Sequence, residues 1–297
     1  MRVFVTGATG FIGSAIVRDL LAAGHEVLGL ARNDDAVATL AKVGVKAHRG
    51  ELSDTDGLAE GARACDGVIH TAFIHDFSAY ATSLEADRRA IEALARALEG
   101  SDKPFVVTYG TASLASGRLG TEEDVPAPGS AGWLRAESEA MVLAAAGLGV
   151  RSIVMRLPPS VHGAGDHGFV PMLIDIARRK GFAAYIADGA NRWPAVHRVA
   201  AARLYRLALE KAVPGSRLHG VAEEGVPMRE IAEAIGAGLG IPVRSLSPDE
   251  ARTHFDWMAG FVAIDNPTSS ALTRNALGWQ PDGPELLTDM RENGYFS

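Results

Sequence analysis

The chain has 297 residues, 47% of them hydrophobic and 22% charged, with a formal net charge of −7 and one cysteine. That composition predicts a globular protein with a sizeable core, built as one large domain or as a domain with an appended lobe. A negative charge with no basic cluster argues against nucleic-acid binding, and the lone Cys65 excludes an internal disulfide framework and fits a reducing compartment. No window reaches the roughly 18 apolar residues of a membrane span. The first strand opens at Arg2, too early for a cleavable signal segment, so a cytoplasmic location is expected.

In chain order, RVFVT reads as a strand and Phe11 to Ala23 as a helix ending at Gly24. HEVLGLAR, VKAHRG and GVIHTAF read as the next three strands, separated by helices around Ala36 to Lys42 and after an N-cap at Ser53 or Asp54. Tyr80 to Leu98 carries Leu84, Ile91, Leu94 and Leu98 on one helical stripe. PFVVTYG is a fifth strand, followed by a long loop, a helix from about Gly132 to Ala146, and RSIVMRL as the sixth strand. Continuous apolar strands alternating with helices predict an α/β fold, a doubly wound parallel sheet of Rossmann type. Beyond Arg156 the pattern loosens into helices near 169–180, 198–212, 228–239 and 248–255, with short strands near Phe182 and Val243. We therefore expect a dinucleotide-binding core over 1–157 and a substrate lobe over 158–297, some of whose segments return to the core.

The turn Thr6-Gly7-Ala8-Thr9-Gly10-Phe11-Ile12-Gly13 lies between the first strand and the first helix. Gly7 suits a tight turn, Gly10 the close approach of a pyrophosphate to backbone N–H groups, and Gly13 close helix–strand packing. The helix N-terminus adds partial positive charge for phosphates. No Gly-Lys-Ser/Thr follows, which excludes a P-loop. At the end of the second strand Ala31 stands where a site for NAD places a carboxylate, and Arg32 follows. A small residue with a guanidinium beside it suits a 2′-phosphate, so NADP(H) is favoured over NAD(H). The alternative leaves Arg32 solvated and lets Asp34 or Asp35 reach the ribose.

On these residues the chain resembles the extended short-chain dehydrogenases/reductases, the NAD-dependent epimerase/dehydratase-like branch of that superfamily. Gly50-Glu51-Leu52 resembles its G-D-L segment, which implies that Glu51 and Leu52 flank the adenine. His70-Thr71-Ala72, with Phe73, resembles the H-x-A segment against the middle of the cofactor. Arg156 to Gly163 resembles R-x-x-x-V-Y-G, bringing Pro158 and Val161 near the nicotinamide and His162 to the usual tyrosine. Asp188-Gly189 and Val196-His197 resemble segments of the substrate lobe. Thr108, at the end of the fifth strand, joins the cofactor-binding set. The family's Tyr-x-x-x-Lys is absent. Counting back from Ser138-Glu139 puts Arg135 at the lysine, where it can hold the nicotinamide ribose, and Ala131 at the tyrosine. The resemblance also implies pairing through the helices after strands four and five. Charged Arg88, Arg89, Glu92 and Arg96 on the first of these leave a homodimer open.

The proton must then come from elsewhere. Thr111 best matches the family's catalytic hydroxyl, with Ser113 second. His75, beside Asp76 after the fourth strand, is the first candidate donor, unless both are solvated or cap the next helix. Tyr109 supplies either a phenol or a buried aromatic at a strand end. His162 is a further imidazole. Trp193 either packs the lobe or lines a substrate pocket. No residue spacing suggests a metal site. The leading expectation is an NADPH-dependent reductase or dehydrogenase acting on a small carbonyl or alcohol. Its rivals are a non-catalytic redox sensor and a sugar-nucleotide epimerase or dehydratase.

Overall fold

A computed structural model describes residues 1–74 and 80–297. Strands and helices alternate as β1 (Arg2–Thr6), α1 (Phe11–Ala22), β2 (Glu26–Ala31), α2 (Asp34–Lys42), β3 (Lys46–Arg49), α3 (Thr55–Arg63), β4 (Gly67–His70), α4 (Tyr80–Leu98), β5 (Pro104–Gly110), α5 (Ala136–Ala144) and β6 (Arg151–Leu157). There follow β7 (Ser160–His162), α6 (Phe169–Lys180), β8 (Ala183–Ile186), β9 (Arg192–His197), α7 (Arg198–Lys211), β10 (Ser216–His219), β11 (Glu223–Pro227), α8 (Met228–Leu239) and β12 (Val243–Leu246). The chain ends with α9 (Pro248–Phe255), α10 (Ala259–Val262), α11 (Ala271–Leu277) and α12 (Leu286–Glu292). The helix expected from Gly132 to Ala146 is broken into a 3-10 turn, Trp133–Arg135, then α5, then a second turn, Ala145–Leu148.

The main sheet is seven-stranded and parallel, in the order β10-β6-β5-β4-β1-β2-β3. Each strand's side chains alternate between faces: Val3 and Val5 pack with Ile16, Leu20 and Leu204 on one side, Phe4 with Val68, Ile91 and Phe105 on the other. Burial on both faces explains the near-continuous apolar strands. The strand order reverses between β1 and β4, which opens a crevice at the carboxyl ends of the strands. The later half contributes β10 to this sheet's edge, while α7 packs on α1.

The lobe holds a three-stranded sheet, β11-β9-β7, and a parallel pair, β12-β8, around Trp193, Phe255 and Met258. Pro194 sits in the middle strand, where a missing N–H ought to break a ladder. It lies where the β11–β9 register shifts, between the Glu223↔Ala195 and Val226↔Trp193 pairs, and just before β7 pairing begins at Ala195. The irregularity accommodates the proline. Among the described residues no helix is long and apolar enough to cross a membrane.

One buried histidine ties fold stability to pH. His219 is fully enclosed; its Nδ1–H donates to the Ser269 carbonyl (2.8 Å), and its Nε2 accepts from Arg156 Nη1 (3.3 Å). Burial, aided by Arg156 and opposed by Glu122, lowers its pKa to about 4. In an unfolded chain the group titrates near about 6.5. Between these values the unfolded state binds the additional proton, so stability is full above about pH 6.5 and falls as pH drops toward 4. Urea unfolding near pH 7 and near pH 5 is expected to show this loss, with a shallower slope in His219→Gln. An unchanged slope in that variant would contradict the assignment.

Candidate functional site

The glycine turn joins β1 to α1 at the crevice. Gly7 has φ +70°, and its carbonyl accepts the Gly10 N–H at 2.9 Å. A Cβ on Gly7 would lie 2.7 Å from Thr71 Oγ1 and 2.8 Å from Ala72 N; on Gly13 it would lie 2.0 Å from the Gly7 carbonyl. Neither position tolerates a side chain. The first turn of α1 has no acidic residue and no side-chain cap, and Thr9 and Gly10 are exposed. By contrast α2 is capped by Asn33 and carries Asp34 and Asp35 in its first turn. The α1 terminus thus offers N–H groups suited to an anion such as a pyrophosphate.

Around the turn the sequence-chosen residues divide into exposed and structural ones. Arg32 is exposed and makes no hydrogen bond or ion pair with a described residue, whereas Asp34 is paired with Arg49 of β3. Glu51 is exposed and accepts from Ser53 Oγ at 2.5 Å, and Leu52 is buried beside Leu30. Ile12 and Phe11 are half-buried. Thr6 is fully buried and knits the strand ends together: its hydroxyl accepts from Ala72 N (3.3 Å), and its carbonyl accepts from Thr71 Oγ1 (2.8 Å). Thr108 is committed inward, donating to the His70 carbonyl (2.8 Å) and lying 2.7 Å from the Tyr205 hydroxyl. Pro158 is buried and Val161 half-buried, paired with Val196 of β9.

Arg135 is fixed from several sides. Its Nη2 donates to Asp87 Oδ2 at 2.9 Å, and its guanidinium lies 4.5 Å from the Tyr109 ring centroid and 4.9 Å from that of Phe73. Asp87, on α4, is 1% exposed and also accepts from His70 Nε2 at 3.3 Å. Because a carboxylate only accepts, Nε2 carries the imidazole proton, and His70 Nδ1 accepts from the Thr6 hydroxyl at 2.9 Å. A buried chain Thr6–His70–Asp87–Arg135 therefore runs from the glycine turn to the arginine. Burial pushes the Asp87 carboxyl upward, but His70 and Arg135 more than offset this and hold it below the usual value. Arg135 Nε is enclosed and has no partner among the described residues.

The candidates for proton transfer are placed unevenly. Thr111 is fully buried; its hydroxyl donates to Asn266 Oδ1 (2.7 Å), and Asn266 Nδ2 donates to the Thr111 carbonyl (3.0 Å). Ser113 is likewise turned inward, donating to the Gly110 carbonyl. Tyr109 is 4% exposed, and burial drives its phenol well above the ordinary tyrosine value. His162 does not face the crevice: it is fully enclosed, with Nδ1 2.7 Å from Asp289 of α12 and its ring edge-on to His197. Burial keeps its pKa below the ordinary histidine value. Trp193 is 1% exposed and packs the lobe. His75 and Asp76 lie outside the described residues. Ala131 is exposed.

Three participants escaped sequence reasoning. Asn266 meets Thr111 across 155 positions. Arg198, at the start of α7, lies 5.0 Å over the Phe11 ring and brings a cation to the α1 terminus. Its signal was the Val196-His197 segment just before it. Tyr80, at the start of α4, is half-buried with its ring edge on Phe73 at 6.2 Å.

An uncharacterized protein of Schizosaccharomyces pombe is 53% identical over 298 residues, covering 100% of both chains. One from Saccharomyces cerevisiae is 45% identical over 295 residues, covering 99% of each. A Stenotrophomonas maltophilia protein named 2-alkyl-3-oxoalkanoate reductase is 29% identical over 259 residues, 82% of this chain and 77% of its own. The crystal structure of a double mutant of DesIV, a dTDP-glucose 4,6-dehydratase of Streptomyces venezuelae, solved with NAD bound, has a TM-score of 0.79 at 20% identity. It covers 100% of this chain and 96% of that one, a likeness of fold. A family model matches residues 3–219, and the chain belongs to the NAD dependent epimerase/dehydratase family.

Proposed function

We propose that the protein is an NADPH-dependent reductase of carbonyl compounds. The observation that carries this reading is Arg135, aimed by Asp87 and held beside Phe73 and Tyr109, with 18% of its side chain still exposed. A guanidinium pre-set in this way suits the hydroxyls of a nicotinamide ribose. The Gly7–Gly13 cradle and the α1 terminus fit the pyrophosphate, Arg198 adds charge beside it, and Arg32 fits a 2′-phosphate. When bound, the nicotinamide supplies hydride, and the protein has only to orient the substrate and deliver a proton. A relative named as a reductase of 2-alkyl-3-oxoalkanoates favours carbonyl reduction over sugar-nucleotide chemistry.

Proton delivery is assigned to His75 from its place in the sequence, after β4. Thr111 is fully buried and gives its hydroxyl proton to Asn266, so it anchors the end of β5 and does not touch the substrate oxygen; Tyr80 and Tyr109 are the alternative phenols. His75→Ala should lower turnover by about 10²-fold or more with NADPH affinity nearly unchanged, the pattern of a lost acid–base group. Turnover that survives this change but is lost in Tyr80→Phe or Tyr109→Phe moves the donor to that phenol. The measurement is NADPH oxidation against aldehydes, ketones and quinones.

The second reading, a redox sensor that binds NADP(H) without turnover, is favoured by exposed Ala131, which has no titratable group where the family's tyrosine is expected. Tight NADPH binding with no oxidation on any panel member would select it.

A further inference from the structure

His70 spends both ring nitrogens on side chains, and the proposed reaction gives it no task. Its Nδ1 accepts from the Thr6 hydroxyl at 2.9 Å, and its Nε2–H donates to Asp87 Oδ1 at 3.3 Å. Two other histidines show a local, backbone-satisfied alternative. His48 Nε2 donates to the Gly57 carbonyl (2.8 Å), and His219 Nδ1 to that of Ser269 (2.8 Å). His70 is 1% exposed and ends β4, beside the point where the strand order reverses. Its first partner, Thr6, lies one residue before Gly7. Its second, Asp87, accepts from Arg135 Nη2 at Oδ2, 2.9 Å away.

The two oxygens of Asp87 are thereby divided. His70 takes Oδ1 and Arg135 takes Oδ2, so a carboxylate able to accept two guanidinium N–H groups holds Arg135 by one. The undivided arrangement occurs elsewhere in the chain. Arg192 reaches both oxygens of Asp265, Nε to Oδ1 and Nη2 to Oδ2 at 3.0 Å each, and Arg156 reaches both oxygens of Glu139. Those forks use two donors for the ion pair. The single bond at Asp87 uses one, and 18% of the Arg135 side chain is exposed. Asp87 is 1% exposed, so an Oδ1 that lost His70 would draw a second donor from the neighbouring guanidinium.

We propose that His70 is a positioning residue for the cofactor: by occupying Asp87 Oδ1 it limits Asp87 to one bond with Arg135 and keeps the other guanidinium donors for the nicotinamide ribose. The proposal rests on the NADP(H)-binding part of the reductase reading and deepens it. Through Thr6 the same imidazole is tied to the glycine turn. The Thr6 hydroxyl also accepts from Ala72 N (3.3 Å), and a Cβ on Gly7 would meet Ala72 N at 2.8 Å. The turn, the end of β4 and the arginine are thus built as one packed unit. Without the Nε2 donor, Asp87 takes a second guanidinium N–H and turns Arg135 away from the ribose.

The test is binding, measured by calorimetry with NADP+ and with 2′,5′-ADP, a fragment that lacks the nicotinamide ribose. His70→Asn keeps an amide facing Thr6 but is too short for Asp87, whereas His70→Gln can place its amide nitrogen near the Nε2 position. His70→Phe, which keeps ring volume without a donor, replaces His70→Asn if that variant does not fold. His70→Asn is expected to bind NADP+ about 10-fold more weakly and 2′,5′-ADP within about 2-fold of the parent. His70→Gln should recover most of the loss. In an Arg135→Met background the same His70→Asn change should alter NADP+ affinity by less than about 2-fold, because the group it positions is gone. An equal loss for both ligands, an unchanged NADP+ affinity, no recovery in His70→Gln, or the full loss repeated in Arg135→Met would overturn the proposal. Failure of the two readings is separable. Coupled losses without NADPH oxidation by any carbonyl end the reductase reading and support the role of His70. Carbonyl turnover with uncoupled losses ends that role and leaves the reductase. Absence of NADP+ binding by the parent ends both.

Discussion

Glu139→Ala is expected to lower the free energy of unfolding by about 3–5 kcal/mol, the cost of leaving a buried charge without its partner. Glu139 is 2% exposed and Arg156, on the neighbouring β6, is fully buried. The guanidinium donates through Nε and Nη2 to the two carboxylate oxygens, and through Nη1 to the Asp124 carbonyl at 2.9 Å. Without Glu139, Arg156 retains neutral acceptors but no ion-pair partner among the described residues. Urea unfolding measures the loss. The double variant Glu139→Leu with Arg156→Met should recover part of it, because two apolar groups remove the unpaired charge. Recovery stays partial because the Asp124 carbonyl and His219 Nε2 each lose a donor. A loss below about 1 kcal/mol in Glu139→Ala would mean that water or relaxation rescues the arginine.

The second large effect is on cofactor choice. Arg32→Ala should weaken NADPH by about 10- to 150-fold and leave NADH nearly unchanged, since a charge-assisted pair with phosphate contributes about 1.5–3 kcal/mol. Arg32 has no carboxylate holding it elsewhere among the described residues, and Asp34, one of its two acidic competitors for the ribose, is engaged by Arg49. Parallel titrations of both cofactors into parent and variant decide it. Equal affinities in the parent would remove Arg32 from the account.

The first half of the fold was legible because its signals are local. Val3-Phe4-Val5 and Val106-Val107 are apolar on both faces, as buried parallel strands must be, and the glycine turn announces itself within eight residues. In the lobe the strands near Phe182 and Val243 were legible, as β8 and β12, but the three-stranded sheet was not. β7 is only three residues long, and β9 contains Pro194, which local rules read as a strand breaker; its tolerance depends on a register shift against β11, visible only once the strands are paired. The site divides in the same way. The cradle could be read from spacing, but Asp87 beneath Arg135, Asn266 on Thr111 and Asp289 on His162 join positions 48, 155 and 127 residues apart. No periodicity encodes such meetings. His162 looked like a site residue because its neighbours in sequence resemble a motif, but its burial follows from α12, which no motif predicted.

The reductase reading is tested most directly by following the transferred atom. NADPH deuterated at the nicotinamide C4 is incubated with the protein and an uncharged ketone such as 2-acetylnaphthalene, and the alcohol is analysed by mass spectrometry. The account predicts deuterium on the former carbonyl carbon when the C4 label is on one face, and none when it is on the other, because a chiral site presents a single face of the ring. Tight binding of the labelled cofactor with no deuterium in any product, across aldehydes, ketones and quinones, would contradict it.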